Sequence, residues 1–336
     1  MKILISSHAF APSLGGIETV GRLLAQEFVR LGNKVKVVTQ TPGKNKQNQE
    51  YEILRQPSLT SLCHAMRWCD IYWQSNLSLR TLWPNALVRR PLVITHHGSY
   101  CRAPLGIDFN QRLKHAVVNR AISVAASHAV AACFRTHSHI ILDPYDAQLF
   151  RRPLPERERS QDLVFLGRLV VEKGVDLLLQ ALNRLKSRGD VPSLTIIGTG
   201  PERAPLERLT DRFGLGSRVT FVGAKEGDEL VQLLQGHKIL VVPSRYNEPF
   251  GIAALEGIAC GCVVIGSSGG GLPEAIGPCG MTFRNNDVAA LAESLKRLLQ
   301  SPGERARLQA HAASHLAQFQ PATVAQQYLA LFRSLL

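Results

Sequence analysis

The sequence lacks the features that mark several classes of protein. Its 336 residues contain no run of 18 or more apolar residues, so no membrane-spanning helix is predicted. Its seven cysteines are odd in number and form no Cys-x-x-Cys pair, which argues against a disulfide framework and against a structural zinc site. The opening apolar run, Met1–Ile5, is too short for a signal peptide. These absences predict a cytoplasmic protein whose membrane contact, if it has any, is peripheral.

Charge is unevenly placed along a chain of formal net charge +13. Residues 1–150 carry 17 basic and 8 acidic groups, a net of +9, whereas residues 151–336 carry 22 and 18, a net of +4. The first half therefore favours a negatively charged partner, and a membrane surface, a phosphorylated acceptor and a nucleic acid stay open beside plain solubility. No Arg-rich arm or aromatic-interleaved basic motif supports a nucleic acid.

Strands and helices alternate along the first 150 residues. A strand at Lys2–Ser6, a Gly-Gly loop, a helix at Thr19–Leu31 and a strand at Val35–Thr39 form a βαβ module. Further strands are predicted at Glu52–Arg55, Asp70–Gln74 and Leu92–Thr95, then a helix at Val117–Ala126 and a strand near Ala129–Cys133. The proline- and charge-rich stretch Leu149–Arg159 is predicted to be an interdomain linker.

The alternation restarts after this linker. Strands are predicted at Leu163–Gly167, Leu194–Gly198, Val219–Val222, Ile239–Pro243 and Val263–Gly266. Helices are predicted at Val175–Lys186, Leu206–Phe213, Leu230–Leu234, Gly251–Cys260, Val288–Leu299 and Ala322–Leu335. This rhythm is typical of a second doubly wound parallel sheet, so we expect an α/β protein with two such domains.

The most informative segment runs from Val242 to Ile276. A strand ends there, Glu248 follows in a loop, and a helix begins near Gly251 with Glu256 further along it. The free N–H groups and the dipole of a helix N-terminus bind anions. Two carboxylates for hydroxyl groups and one amide cluster for a diphosphate suit a sugar nucleotide. Taken alone, Glu256 would be interpreted as a surface residue of an amphipathic helix.

Three other segments carry candidate residues at strand ends. Arg168 and Lys173 follow a strand and could neutralise a leaving diphosphate. In the first half, Gly16 lies between the first strand and the first helix, where a backbone without side chains can approach a ligand. His97 directly follows the strand at Leu92–Thr95, at the edge of the sheet where ligands bind.

Together these segments resemble glycosyltransferase family 4, a retaining family with the GT-B fold. The resemblance covers nearly the whole chain, and its motifs keep their order. The first motifs match at Pro12, Gly15, Gly16, Glu18, Gly32, Thr95, His97 and Gly98. The later motifs match from Gly167 to Gly174 and at Pro243, Ser244, Glu248, Phe250, Gly251, Ile252, Glu256, Gly270, Gly271 and Glu274. Glu248 and Glu256 form the family's signature of two glutamates with seven residues between them.

The resemblance implies a fold and a domain organisation. The fold is GT-B, in which two Rossmann-like, doubly wound parallel-sheet domains face a central cleft. Residues 1–150 would form the acceptor domain and residues 160–318 the nucleotide-sugar donor domain. The final helix, within residues 319–336, would pack back on the first domain.

The resemblance also implies roles for individual residues. It implies catalytic roles for His97, Arg168, Lys173 and Glu248. It implies donor binding by Gly16, Arg168, Lys173, Phe250, Gly251, Ile252 and Glu256. Transfer of a hexosyl group with retention is usually explained in this family by same-face attack, so no covalent nucleophile is named.

The expected activity is transfer of a sugar from a UDP- or GDP-sugar to an acceptor hydroxyl, for which the basic first half favours a lipid-linked or cell-envelope glycan. No cofactor is expected. No metal is expected either, because no Asp-x-Asp pair is present and the cationic pair would neutralise the diphosphate. One departure is Leu142–Asp146, where the family often has Asn-Gly-Val-Asp and only Asp146 matches. A nucleotide-sugar epimerase and a nucleotide-sugar-binding protein on the same fold are the alternatives.

Overall fold

The structure is a computed structural model, and it describes residues 1–12, 15–43, 50–98, 117–118, 120–134, 138–152, 159–186, 189 and 191–336. The chain divides into two compact units. Unit 1 comprises Met1–Tyr145 and Phe319–Leu336, and unit 2 comprises Asp146–Gln318. Within the predicted linker Leu149–Arg159, residues 153–158 lie outside the described residues.

Unit 1 is built on a parallel sheet with the strand order β3-β2-β1-β4-β5-β6-β7. The strands are β1 Lys2–Ser7, β2 Lys34–Thr39, β3 Glu52–Arg55, β4 Ile71–Ser75, β5 Leu92–His96, β6 Ile122–Ala125 and β7 His139–Ile140. Every pairing is parallel, and β1 pairs with both β2 and β4. The chain therefore winds outward in both directions from β1, which is the doubly wound pattern.

The helices of unit 1 differ in length. They are α1 Gly16–Arg30, α2 Leu59–Trp68, α3 Leu79–Leu82, α4 Asn85–Val88, α5 His128–Ala131 and the C-terminal helix Pro321–Arg333. The C-terminal helix belongs to unit 1 because its aromatic side chains enter that core. Phe332 packs on Phe28 of α1 with ring centroids 5.8 Å apart, and Tyr328 packs on Trp73 of β4 at 5.1 Å. The Tyr328 hydroxyl also lies 2.8 Å from Thr95 Oγ1 in β5.

Two predictions in unit 1 were wrong, because the predicted helix contains a strand and the predicted strand is a helix. A helix was predicted at Val117–Ala126, but Ile122–Ala125 is strand β6, paired with β5. A strand was predicted near Ala129–Cys133, but His128–Ala131 is helix α5. The alanine-rich sequence favours a helix throughout, yet β-branched Ile122 and Val124 fit the open position beside β5, since side chains of this kind pack well in a sheet. The Ser127 side chain then accepts a hydrogen bond from the Val130 amide and caps the helix.

Unit 2 contains a second parallel sheet, with the order β10-β9-β8-β11-β12-β13. Its strands are β8 Gln161–Leu166, β9 Leu194–Ile197, β10 Val219–Gly223, β11 His237–Val242, β12 Val263–Ser267 and β13 Gly280–Phe283. Its helices are α6 Val175–Lys186, α7 Arg203–Arg212, α8 Gly227–Gly236, α9 Ile252–Ala259, α10 Leu272–Ile276, α11 Val288–Gln300, α12 Pro302–Gln309 and α13 Ala312–Leu316. The predicted α/β class, with two Rossmann-like parallel sheets, is confirmed.

The core of unit 2 explains why its elements were readable in the sequence. Leu178, Leu182 and Leu185 on one side of α6 are buried against the sheet together with Leu291 and Leu295 of α11. Apolar residues at such three- and four-residue spacings are the signature of a helix with one buried face. The predicted helix Val175–Lys186 has the observed bounds for this reason.

The cysteines agree with the sequence-based expectation in part. Five of them are free thiols, namely Cys63, Cys69, Cys260, Cys262 and Cys279. Cys133 differs, because it is disulfide-bonded. Burial raises the pKa of the Cys262 thiol to about 12, so this side chain is a neutral part of the core. In the described part of the chain, no helix is long and apolar enough to cross a membrane.

Candidate functional site

The candidate residues of unit 2 lie where its strand order reverses. Strand β8 pairs with β9 on one side and with β11 on the other, so the chain winds away in two directions from this point. Ligands of open α/β sheets bind outside the carboxyl ends of such strands. Arg168 and Lys173 follow the end of β8, and Glu248 follows the end of β11. The fold therefore brings the predicted cations and the first predicted glutamate to one edge.

Glu248 is a buried carboxylate with three side-chain donors. Lys173 Nζ lies 2.6 Å from its Oε1 atom, and Ser244 Oγ donates to the same oxygen at 2.5 Å. Tyr246 OH donates to Oε2 at 2.5 Å. The Lys173 ammonium also lies over the Tyr246 ring, 5.4 Å from the centroid. Both carboxylate oxygens are therefore satisfied within the unit, which fixes the orientation of the side chain.

The electrostatics keep Glu248 ionised although only 5% of it is exposed. Burial acts to raise its pKa, but the Lys173 charge and the three hydrogen bonds outweigh burial, so its pKa lies below the usual value. Burial raises the pKa of Tyr246, and the Glu248 carboxylate raises it further, so the phenol stays a donor. The cluster is thus a fixed negative charge beside a fixed positive one.

The backbone of Glu248 is held by a close approach of the loop after β12. Glu248 forms an isolated parallel bridge with Gly270, and the Gly271 amide donates to the Glu248 carbonyl oxygen at 2.7 Å. Gly270 has φ +79°, and a Cβ atom on it would lie 2.1 Å from that oxygen. Only glycine fits there, because a side chain would push the Glu248 backbone away.

The N-terminus of α9 is open to a ligand. Gly251 precedes the helix at φ +125°, and this N-cap residue has no side chain that could cap the first amides. A Cβ atom at Gly251 would lie 2.6 Å from Leu272 Cδ1 of α10, so the residue is needed both for its conformation and for its packing. Ile252 is half-buried, whereas the Phe250 side chain is buried at 3% exposure. Phe250 can therefore contribute only its backbone to a binding site.

Glu256 lies one turn into α9 and has a different environment from Glu248. It is half-buried, and no lysine or arginine of the described residues pairs with it. Burial raises its pKa to about 7, and the nearby Asp146 carboxylate acts in the same direction. Near neutral pH the group is thus divided between a charged acceptor and a neutral carboxylic acid that can also donate.

Arg168 is the exposed cation of this edge. Its guanidinium forms no ion pair with the residues that the structure describes, and its charge is felt at Tyr246. The loop after β8, which carries Arg168, is hydrogen-bonded to the loop after β9, since the Leu169 amide donates to the Thr199 carbonyl oxygen at 2.8 Å. The cation can therefore meet an anion without first giving up a partner.

The sequence prediction missed two members of the Glu248 cluster. In the sequence, Ser244 stands out only as part of a family motif, and Tyr246 belongs to no predicted site. Both lie within four residues of Glu248 in the stretch after β11, so the available signal was a polar side chain at every second position beyond a strand end. Asn285 is a further support, because its amide faces the Ser244 and Tyr246 carbonyl oxygens at 3.3 Å each.

Unit 1 holds a second polar cluster around His97. The ring Nδ1 atom lies 3.1 Å from the Asp143 carboxylate, and Nε2 lies 3.1 Å from Ser75 Oγ. The His97 amide donates to Asn76 Oδ1 at 3.0 Å. His97 is 7% exposed and Asp143 is 5% exposed. The cluster follows the carboxyl ends of β4 and β5, where the prediction placed His97.

Asp143 determines which ring nitrogen of His97 carries the proton in the neutral form. An ionised carboxylate can only accept, so Nδ1 must donate to it, and Nε2 is then left as the acceptor for the Ser75 hydroxyl. The neighbouring His96 is a neutral part of the core, because burial and the adjacent His97 lower its pKa to about 4. Asp143 was noted from the sequence only as a departure from the family pattern, which does not reveal a partner 46 residues away from it.

Gly16 begins α1 behind strand β1, and β4 separates β1 from β5 in the sheet. Gly15 before it has an extended conformation and lies against the Glu18 side chain, since a Cβ atom on Gly15 would lie 2.3 Å from a carboxylate oxygen. Gly16 and His97 thus lie in unit 1, while the remaining predicted site residues lie in unit 2. Among the described residues, no group of three or more His, Cys, Asp or Glu side chains could hold a metal ion.

Comparison with known proteins identifies the family. The family model for glycosyl transferases group 1 matches residues 146–315, which is about half of the chain. A D-inositol 3-phosphate glycosyltransferase of Salinispora tropica is 31% identical over 271 residues, which are 68% of this chain and 56% of that protein. An uncharacterized glycosyltransferase of Methanocaldococcus jannaschii is 39% identical over 127 residues, which are 38% of this chain and 32% of that protein. The matches thus span between a third and a little over half of these relatives.

Among solved structures, Anabaena HepE in complex with UDP superposes with a TM-score of 0.83 at 21% identity, covering 99% of this chain and 100% of that one. At this identity the likeness concerns the fold. The chain belongs to the group 1 glycosyl transferase family, as the resemblance to family 4 had predicted.

Proposed function

We propose that this chain transfers a sugar from a nucleoside-diphosphate sugar to an acceptor hydroxyl, with retention of the anomeric configuration. The observation that carries the proposal is the Glu248 cluster, which sets an oriented carboxylate and the Lys173 ammonium beside the open N-terminus of α9. Family membership supports the reaction class. The UDP bound to the structurally similar HepE supports a UDP- or GDP-sugar as donor.

The donor would bind along the edge of the unit 2 sheet. The amides of Gly251 and Ile252 would hold the diphosphate, since free N–H groups at a helix N-terminus are suited to phosphate. Glu248 would accept hydrogen bonds from sugar hydroxyls, and Glu256 would bind the ribose. Phe250 would take part through its backbone, because its side chain is buried. From unit 1, Gly16 would contact the phosphate and His97 the sugar, as the family resemblance implies.

The chemistry needs positive charge at the leaving group. When the bond between the sugar C1 atom and the phosphate oxygen breaks, its electron pair stays on the diphosphate. Arg168 and Lys173 would stabilise that charge. In keeping with the family resemblance, no metal or cofactor would take part. The acceptor oxygen would attack C1 from the same face, and its proton would pass to the departing phosphate oxygen. Two oriented cations are worth several kcal/mol at such a site, on the scale of about 3 kcal/mol for one preorganised donor.

The acceptor is proposed from charge alone. Residues 1–150 carry a net charge of +9, which favours an anionic or lipid-linked acceptor such as a cell-envelope glycan. The substrates of the relatives do not decide it, because their names include both an inositol-phosphate enzyme and glycogen synthase of Mycobacterium tuberculosis, the latter 36% identical over 47% of this chain and 37% of its own length.

The test is release of nucleoside diphosphate from a panel of UDP-, GDP- and ADP-sugars. We expect release from one donor, and a loss of about 100-fold or more in Glu248→Ala, because that variant removes the oriented acceptor and leaves Lys173 unpaired. Glu226→Ala is the matched control, since Glu226 is an exposed glutamate of the same unit whose side chain forms no capping bond.

Two outcomes would point elsewhere. Donor binding without sugar transfer or donor hydrolysis, in the presence of lipid and glycan extracts, would favour a nucleotide-sugar-binding protein. Interconversion of the donor sugar without an acceptor would favour an epimerase. Equal release by wild type and Glu248→Ala would contradict the assignment of the site.

A further inference from the structure

Unit 1 exposes large apolar side chains to solvent in the segment that contains α3 and α4. Helices α3 and α4 are joined by a turn at Trp83 and Pro84, and both turn residues have right-handed helical dihedral angles, so residues 79–88 keep a helical course. We call residues 79–88 the surface helix. Its inward side is anchored, because Thr81 is buried and its hydroxyl lies 2.8 Å from Ser6 Oγ of β1.

The outward side of the surface helix carries large apolar side chains, where polar side chains are usual. Trp83 is 41% exposed and Leu87 is 75% exposed, and they lie four residues apart, on the same side of a helix. Arg80 is exposed three residues before Trp83. A solvent-facing helix side normally carries charged and polar groups, so two large apolar side chains on it mark a contact surface.

The sequence around these two side chains is basic, with Arg80 before them and Arg89 after them. The sequence has no acidic residue between Asp70 and Asp108, and Asp70 is already engaged by the Lys2 amide at 2.7 Å. Arg80 and the exposed Arg89 form no ion pair with the described part of the chain. At the end of the segment, Arg90 Nη2 donates to the Arg67 carbonyl oxygen at 2.7 Å and so holds this helix against α2.

We propose that the surface helix is a docking site for an anionic lipid bilayer. Tryptophan prefers the boundary between water and hydrocarbon, and leucine adds apolar area that is removed from water on insertion. Arg80 and Arg89 flank the pair and match the negative charge of lipid headgroups. A second copy of the chain fits this surface less well, since a symmetric contact would set arginines against arginines. The proposal does not rest on the sugar-transfer reaction.

The test is sedimentation of the full chain with vesicles of phosphatidylcholine alone and of an equal mixture with phosphatidylglycerol. We expect binding to the mixed vesicles only, weakened by salt. Arg80→Gln with Arg89→Gln is expected to weaken binding about 25-fold, at about fivefold for each cation. Trp83→Ser with Leu87→Ser is expected to weaken it at least about tenfold through the lost apolar area.

Two measurements make the test specific to this surface. Arg333→Gln with Leu336→Ser is the control, because both residues are exposed in unit 1 and the variant removes one arginine and one large apolar side chain; its binding should equal that of wild type. Quenching of tryptophan fluorescence by brominated lipid should occur in wild type and disappear in Trp83→Phe, which keeps an apolar ring. Trp73 is fully buried and Trp68 is half-buried beneath Lys36, so neither should report insertion.

Three results would overturn the proposal. The first is vesicle binding that is the same in wild type and in both surface-helix variants. The second is binding that the control variant loses to the same extent. The third is a concentration-dependent dimer that the surface-helix variants abolish, with no vesicle binding by wild type, which would assign the surface to self-association. None of these results depends on sugar-transfer activity, so a failure here is separable from a failure of the proposed reaction.

Discussion

The two units place a buried carboxylate at the same kind of position but with different partners. In unit 2, Glu248 follows β11 and is paired with the Lys173 ammonium, which can only donate hydrogen bonds. In unit 1, Asp143 is paired with His97, which follows β5 and whose ring can both donate and accept. The same topology thus supports an ion pair in one unit and, in the other, a carboxylate–histidine pair that sets the tautomer of the histidine. The strand ends supply the location, and the residue type of the partner decides the chemistry.

The largest effect is expected when the ion pair of unit 2 is broken. Lys173→Met keeps most of the volume of the side chain but removes the charge beside Glu248. We expect nucleoside diphosphate release to fall by about 100- to 1000-fold, because one of the two proposed cations at the leaving group is lost. We also expect a loss of up to about 3 kcal/mol in the free energy of unfolding, since a largely buried carboxylate loses its counter-charge.

The acid sensitivity of this variant gives a second readout. The pKa of Glu248 is lowered in the folded protein, so its stabilising contribution is complete above the unfolded pKa and is lost as the pH falls through the folded pKa. Without Lys173 that loss should begin at a higher pH. Lys186→Met is the control, because Lys186 is an exposed lysine of the same unit whose ammonium donates to the backbone carbonyl oxygens of Phe213 and Gly214. Wild-type turnover in Lys173→Met would contradict the proposed role.

A smaller effect is expected when the pair of unit 1 is changed. Asp143→Asn keeps the shape of the side chain, but its amide can either accept from His97 Nδ1 or donate to it, so the single tautomer is lost. We expect turnover to fall about 10- to 100-fold, the range for removing a group that orients a functional histidine. The ring nitrogen resonances of His97 should show a mixture of tautomers in place of one.

This readout separates orientation from stability. A variant that merely loosened unit 1 would lower the melting temperature and leave one tautomer in the folded fraction. Asp228→Asn, at an exposed aspartate in the first turn of α8, should change neither quantity. If Asp143→Asn retained both full turnover and a single tautomer, the pair would have no positioning role.

The smallest effect concerns Glu256, which pairs with no cation in the part of the chain that the structure describes. Its pKa is raised to about 7, mainly by burial, because the folded protein favours the neutral form of this carboxyl group. The contribution of Glu256 to the free energy of unfolding is therefore largest at low pH, and it is lost as the pH rises from about 4.3 to 7. We expect Glu256→Gln to raise the free energy of unfolding by about 1–3 kcal/mol at pH 8, after allowance for partial exposure, and to have little effect at pH 4. Urea unfolding at the two pH values is the measurement. A gain of equal size at both would show that ionisation is not the cause.

Much of the fold was predictable because its elements carry local signals. Strand Glu52–Arg55 and helix Val175–Lys186 were predicted with their observed bounds, and in the helix the three- and four-residue spacing of apolar residues is visible within a few turns. The exchange of types at β6 and α5 shows the limit. The alanine-rich segment has little periodicity of its own, and pairing with β5 decided its structure.

The candidate site divides in the same way. Glu248, Lys173, Gly251 and His97 were predicted as site residues because each follows a strand end and fits a family motif. Ser244 and Tyr246 were missed as partners although they alternate with Glu248 along the chain, and Asp143 was missed because it lies 46 residues from His97.

By itself, the sequence determined two doubly wound α/β sheets, the family, and the strand ends at which charged and polar residues collect. These properties follow from local periodicity and short motifs. Only the tertiary structure decided which charges neutralise each other, which carboxylate stays ionised and which arginines face solvent beside Trp83 and Leu87. The physical reason is that pKa values, ion pairs and exposure depend on distances and burial, and residues far apart in the chain set both.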